Sequence, residues 1–157
     1  MDSSKPEPEA ALEGDLPSVL VLLGAAGLPT AGVADRFPDG YAVVRVGSEI
    51  IATAGLELYG RVGLLRSVAV AEAWRGRGLA ERLVDDRVRA ARAVDLEALY
   101  LLTTTAVNYF KRHKFREASR DRVPAELHAS SEFASICPAS AVCLERVFHE
   151  RAALDGR

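Results

Sequence analysis

One stretch of this chain constrains its fold more than any other. Leu65-Arg-Ser-Val-Ala-Val70 reads as a β-strand, Trp74-Arg-Gly-Arg-Gly78 as a turn, and the residues from Leu79 onward as a helix. A strand that feeds a helix through a glycine-punctuated turn calls for layered packing, with the helix laid back over one face of a sheet. Leu79, Leu83, Val84, Val88 and Ala91 recur at helical spacing over about Leu79 to Val94, which gives that helix one apolar side. Its N-terminus presents unpaired N–H groups and a partial positive charge. Gly76 and Gly78 let the backbone come close to a bound group, while Arg75 and Arg77 add cationic donors. The segment therefore suits a pyrophosphate. It carries neither the GxxxxGK[ST] spacing of a P-loop nor the GxGxxG of a dinucleotide fingerprint.

Strand patterns surround the segment. Tyr41–Val46 and Glu49–Leu58 read as strands joined through Gly47-Ser48 in a hairpin, and Tyr59-Gly60 turns the chain into a third antiparallel strand at Leu64–Val70. Leu99–Leu102 is a short apolar run, expected as a buried strand parallel to its neighbour after a helical crossover. A helix over about Ala106 to Lys114 and a last strand at Ala141–Val147 complete the pattern. Nearer the start, Asp15 is expected to cap a helix whose first turn tolerates Pro17, with Leu16, Val19, Leu20 and Leu23 as its apolar stripe. Residues 1–14, rich in Pro, Glu and Ser, read as a flexible leader, and residues 15–157 as a single domain. The fold class is α/β (α+β), a mixed and mostly antiparallel sheet flanked by helices.

Composition excludes several functions. At 157 residues, with 49% apolar and 27% charged side chains, the chain can bury one core without disulfide or metal staples. A net charge of −2, with the helix arginines interleaved among Glu81, Asp85 and Asp86, argues against nucleic acid as a partner. The apolar run around Val19–Leu23 falls far short of the roughly 20 residues that cross a bilayer, so no membrane partner is expected. The N-terminus lacks the basic start and apolar core of a secretory signal, which points to the cytoplasm and to reduced thiols at Cys137 and Cys143. Three scattered histidines and two cysteines make no metal set, and no metal is expected.

Arg75-Gly-Arg-Gly-Leu-Ala80 matches the R/Q-x-x-G-x-G/A signature of the GNAT acetyltransferases, and it follows Val68-Ala-Val70 as the signature follows that family's fourth strand. The resemblance spans about residues 15–147. It implies a splayed GNAT sheet and acetyl-coenzyme A as cofactor. Backbone groups of Val68, Ala69 and Val70 are then expected to hold the pantetheine, and Arg75, Gly76, Arg77, Gly78, Leu79 and Ala80 the pyrophosphate, with Phe110 also against the cofactor. Taken by themselves the six signature residues also suit an Arg/Gly turn that merely starts a helix. A narrower resemblance lies in Gly55-Leu-Glu-Leu-Tyr-Gly60, Gly63–Val70, Leu101-Leu-Thr-Thr-Thr105 and Phe133–Ser140, which are similar to a bacterial subgroup associated with arsenic resistance. The Leu-Thr-Thr stretch and the helix after it also resemble the acetyltransferase domain of N-acetylglutamate synthase. Together these imply a small-molecule amine substrate of glutamate-like character, such as arsinothricin or phosphinothricin, whose amine attacks the acetyl thioester directly in a ternary complex.

Individual residues carry the remaining expectations. Acetylation needs a neutral amine, and Glu57, at a strand end, is the candidate proton acceptor; a solvated strand-end carboxylate, or a salt bridge to Arg66 or Arg61, is the competing reading. Arg66, a charge within an apolar strand, is a candidate carboxylate ligand or half of a structural ion pair. Ser67, Thr103 and Thr104 join it as candidate substrate contacts. Many family members place a general-acid tyrosine four residues before a glycine, where this chain has Phe110 and Lys114. Tyr109 is the candidate acid in its stead, although it lies about 100° around the helix from Phe110. His113 reads as a helix-end residue. Pairing of two copies through a strand edge, peptide acetylation, and a non-catalytic acyl-coenzyme A sensor stay open.

Overall fold

The structure is a computed structural model describing residues 6–136 and 140–148. Its seven strands are β1 (Pro8–Ala10), β2 (Tyr41–Val46), β3 (Glu49–Tyr59), β4 (Val62–Val70), β5 (Ala98–Thr103), β6 (Arg116–Glu117) and β7 (Val142–Val147), and they pair in the order β1-β2-β3-β4-β5-β7-β6. The β4–β5 ladder is parallel, and those of β1–β2, β2–β3, β5–β7 and β6–β7 are antiparallel, so the sheet is mixed as expected. The α-helices are α1 (Leu16–Ala25), α2 (Val33–Arg36), α3 (Leu79–Ala93) and α4 (Val107–Arg112). Contacts gather the described residues into two compact units, one within Met1–Glu57 and Leu65–Arg89, the other within Leu58–Leu64 and Ala90–Arg157.

In the first unit both faces of β2 are covered, which is why Tyr41, Ala42, Val43 and Val44 are all buried in succession. Tyr41 and Val43 join Val19, Leu22 and Leu23 of α1 and Val33 of α2 in one cluster. Ala42 and Val44 face the other way, with Ala52 and Ala54 of β3 and Leu79 and Leu83 of α3. Alanines at these strand positions leave room for the α3 leucines. Complete burial of Leu83 stabilises the layer by roughly 1.5–3 kcal/mol. The β2–β3 register shifts between Val44 and Arg45, where Arg45 pairs Ile50 and Val44 pairs Ala52.

Two expectations at the N-terminus are corrected. Pro8–Ala10 is a strand paired with Ala42–Val44, not leader, while residues 1–5 lie outside the described residues. Asp15 does not cap α1 with its side chain. Its carboxylate accepts the Leu12 N–H at 2.9 Å and two bonds from Arg45, because a charged fork competes better for it than a helix N–H.

The second unit has its own core, formed by Val62 and Leu64 of β4, Ala98 and Tyr100 of β5, Cys143 of β7, and Val123 and Leu127. The connection between β6 and β7 runs through 3-10 turns at Arg120–Arg122 and Ala125–Ala129 and a π-helical turn at Glu132–Ile136. Burial pushes the Cys143 thiol up to about 11, consistent with a reduced and inert core residue. Cys137 lies outside the described residues.

Candidate active site

Local backbone geometry in β4 organises the first unit's polar residues. Ser67 has φ +62°, a left-handed conformation that an L-residue adopts at a penalty of about 1–2 kcal/mol. Arg66 reaches the carbonyls of Pro29 and Ala31, and Ser67 Oγ lies 3.3 Å from Tyr41 Oη, on the face that carries α1 and α2. Two successive residues thus share one face, the signature of a β-bulge. Alternation resumes after it. Val68 and Val70 pack beside Leu79 and Leu83, and Ala69 joins the α1 cluster.

The bulge aims Arg66 along the strand face at Glu57. Arg66 Nη1 donates to Glu57 Oε2 at 3.3 Å, and Nη2 donates to Pro29 O at 3.2 Å and Ala31 O at 3.1 Å. The side chains are 0% and 2% exposed. Of the two readings open for Arg66, the geometry builds the ion pair, and its fork is enclosed by protein acceptors. A pair this deep is neutral as a unit, and loss of one member would leave an uncompensated buried charge at about 3–5 kcal/mol. One guanidinium so ties together β3, β4 and the segment between α1 and α2.

Beyond β4 the chain makes a 3-10 turn at Glu72–Trp74, extends through Arg75, and enters α3 at Leu79. Gly76 and Gly78 stand at φ +80° and +82°, and beyond their chain neighbours no atom lies within 4 Å of where a Cβ would sit on either. The space over the loop is open. Arg75 Nε donates to Val70 O at 3.0 Å, and the Arg77 guanidinium lies 4.7 Å from the Trp74 ring centroid. Leu79 is buried and pins the turn to the core, while Arg75 and Arg77 are exposed. The Arg82 N–H donates to Gly78 O at 3.1 Å as α3 begins, and the N–H groups of a helix's first turn have no partner within the helix. An open glycine loop, a helix N-terminus and two cations make a donor set that fits the phosphates of coenzyme A.

The first unit brings together Glu57, Arg66, Ser67 and the stretch from Val68 to Ala80. The other expected residues belong to the second unit. Thr103, half-buried at the end of β5, accepts the Ala106 N–H at 3.0 Å and so fixes the entry to α4; Thr104 is exposed. Tyr109 is half-buried, with its ring 5.1 Å from Phe110 and 4.6 Å from His113. Phe110 is buried, edge-on to Phe115 at 5.7 Å. Lys114 stands at φ +73°, so the position where the family has glycine keeps a glycine-like backbone.

Sequence reasoning missed Tyr41, Gly55, Trp74 and the Pro29 and Ala31 carbonyls. Tyr41 pairs Gly55 across the hairpin, and a Cβ on Gly55 would stand 2.6 Å from the tyrosine ring. Counting back from Gly47-Ser48 without the register shift between Val44 and Arg45 places Ala54 opposite Tyr41, which hides this fit. Among the described residues no group of three metal-ligating side chains occurs, and no helix is long and apolar enough to cross a membrane.

Comparison with known proteins adds a frame to this geometry. Residues 19–115 match the family described as Acetyltransferase (GNAT) family. The structure is similar to N-acetylglutamate synthase from Neisseria gonorrhoeae complexed with coenzyme A and N-acetyl-glutamate, at 19% identity and TM-score 0.79, covering 95% of this chain and 36% of that one. The chain thus spans about a third of that relative's length. It is also similar to Rv2747 from Mycobacterium tuberculosis in complex with CoA and NLQ, at 21% identity and TM-score 0.78, covering 92% of this chain and 100% of that one. A GNAT-family acetyltransferase from Staphylococcus aureus Mu50 aligns at 12% identity and TM-score 0.75, covering 92% and 100%.

Proposed function

The chain belongs to the acetyltransferase (GNAT) family and uses acetyl-coenzyme A, and from that premise we propose that it acetylates the α-amine of a small, glutamate-like amino acid. The observation that carries the proposal is β4 itself, which leads from a buried Glu57–Arg66–Ser67–Tyr41 row at its bulge to an open Arg/Gly loop at its end. When bound, acetyl-coenzyme A supplies an activated acetyl thioester. The backbone of Val68, Ala69 and Val70 and the loop from Arg75 to Ala80 hold and orient it. Glu57 accepts the proton of the attacking amine. Arg66 keeps that carboxylate in place and fixes the Pro29 and Ala31 carbonyls beside it; an acceptor carboxylate has to share the fork with them. Tyr109 is the candidate to return a proton to the departing sulfur, and Ser67, Thr103 and Thr104 are the candidate acceptor contacts.

Glutamate-like character is supported by the acetyl-amino-acid named with the gonococcal relative and by the sequence resemblance to the arsenic-resistance subgroup. Arsinothricin and phosphinothricin are the acceptors to try first. A second reading, an acyl-coenzyme A-binding domain without catalysis, is favoured by one observation, the buried Phe110 where the family's acid tyrosine usually stands. Thiol release from acetyl-coenzyme A across glutamate, phosphinothricin, arsinothricin, polyamines and peptides separates these readings. The anionic amino acids are expected to lead, and Glu57→Gln to lower kcat roughly 10²-fold near neutral pH with a changed pH profile. Preference for polyamines or peptides sinks the acceptor class, and no turnover with any amine supports the second reading.

A further inference from the structure

We propose that Trp74 is a positioning residue for the phosphate loop, holding the Arg77 guanidinium over its ring so that the arginine is in place before the cofactor arrives. The inference rests on the reading that this loop binds coenzyme A phosphates, and it concerns how an arginine between two glycines acquires a direction.

Arg77 is flanked by Gly76 and Gly78, both in left-handed backbone with open space around them, so neither neighbour restrains it. An exposed, unrestrained arginine samples many rotamers, and ordering it on binding weakens affinity. Two devices oppose this in the loop. Arg75 is tied through Nε to the Val70 carbonyl at 3.0 Å. Arg77 has its guanidinium 4.7 Å from the centroid of Trp74. The residue is itself anchored: its backbone N–H donates to Ala71 O at 2.8 Å, and the half-buried side chain packs on the cluster that contains Leu79 and Leu83. Attraction to an aromatic face consumes no hydrogen-bond acceptor, so the donors of Arg77 stay available for phosphate oxygens. The first turn of α3 and the ring beneath Arg77 therefore rest on the same apolar cluster.

Trp74 is the chain's one tryptophan, so the pair can be read optically as well as by affinity. Coenzyme A and pantetheine, which lacks the phosphates, are titrated by calorimetry into the parent, Trp74→Leu, Trp74→Phe, Arg77→Met and the Trp74→Leu/Arg77→Met double variant, each checked for folding by circular dichroism. Trp74→Leu is expected to weaken coenzyme A binding about two- to fivefold, the scale of an exposed cation–π contact, while Trp74→Phe retains most of the affinity. In the Arg77→Met background the leucine change is expected to add nothing, and pantetheine affinity is expected not to move. The emission of ligand-free protein is expected to differ between the parent and Arg77→Met. A Trp74→Leu loss that adds fully to that of Arg77→Met, or that is equal for pantetheine, overturns the positioning role. If Trp74→Leu does not fold, identical emission spectra of parent and Arg77→Met overturn it instead. Coenzyme A affinity unchanged in Arg77→Met has a different meaning, since it removes Arg77 from the phosphate site altogether.

Discussion

Asp15 shows what one side chain contributes. Two hydrogen bonds from Arg45, at 3.0 and 2.8 Å, hold its carboxyl below the usual range, helped by the Leu12 N–H and outweighing the opposing effect of burial. A group whose folded pKa lies below its unfolded value stabilises the fold above the unfolded value, near 4, and that contribution is lost as pH falls through the lower folded value. Asp15→Asn is therefore expected to destabilise the protein by about 1–3 kcal/mol at pH 7, with the difference from the parent shrinking once the pH is taken below about 4. Denaturant unfolding at the two pH values measures this, and a gap that does not depend on pH assigns the effect to packing. The sequence offered Asp15 as a helix cap because a cap is a local pattern; a partner 30 residues away is not.

At the scale of the element, β4 and its hairpin neighbour set the site. Tyr41 lies over Gly55, and its hydroxyl reaches Ser67, so the residue at 55 controls whether the β2 tyrosine can touch the β4 bulge. Gly55→Ala is expected to cost about 1–3 kcal/mol through overpacking, whereas Tyr41→Phe, which removes only the hydroxyl, is expected to cost about 0.5–1.5 kcal/mol. Thermal unfolding of the two variants compares them, and equal, small effects mean that the ring has room to move. The sequence disclosed β2, β3, β5, β7 and α3 because each carries a run or a helical stripe of apolar residues long enough to read. It was blind to β1 and β6, with three and two residues, which are strands only because a longer neighbour pairs with them. Nor does a serine announce a left-handed backbone. The loop from Arg75 to Ala80 was legible because glycine and arginine state their chemistry in their identity, while the Glu57–Arg66 pair was legible only as one of two readings.

For the molecule as a whole, the position of β1 at one end of the strand order has a consequence for colloidal behaviour. A sheet edge is a template on which other chains can add strands. Here the edge strand is three residues long and holds a proline and a glutamate, both poor at extending a ladder, and Arg45 pairs with that glutamate at 3.7 Å. Deleting residues 1–10 would uncover β2, whose Tyr41–Val44 run is aromatic, β-branched and uncharged. The shortened protein is expected to scatter light and elute as large species at concentrations where the full chain stays dispersed, and a monodisperse truncation would deny β1 this role. Three edge residues thus act as a stopper against filament growth, and an affinity tag or a trimmed terminus at this end becomes a choice about shelf life.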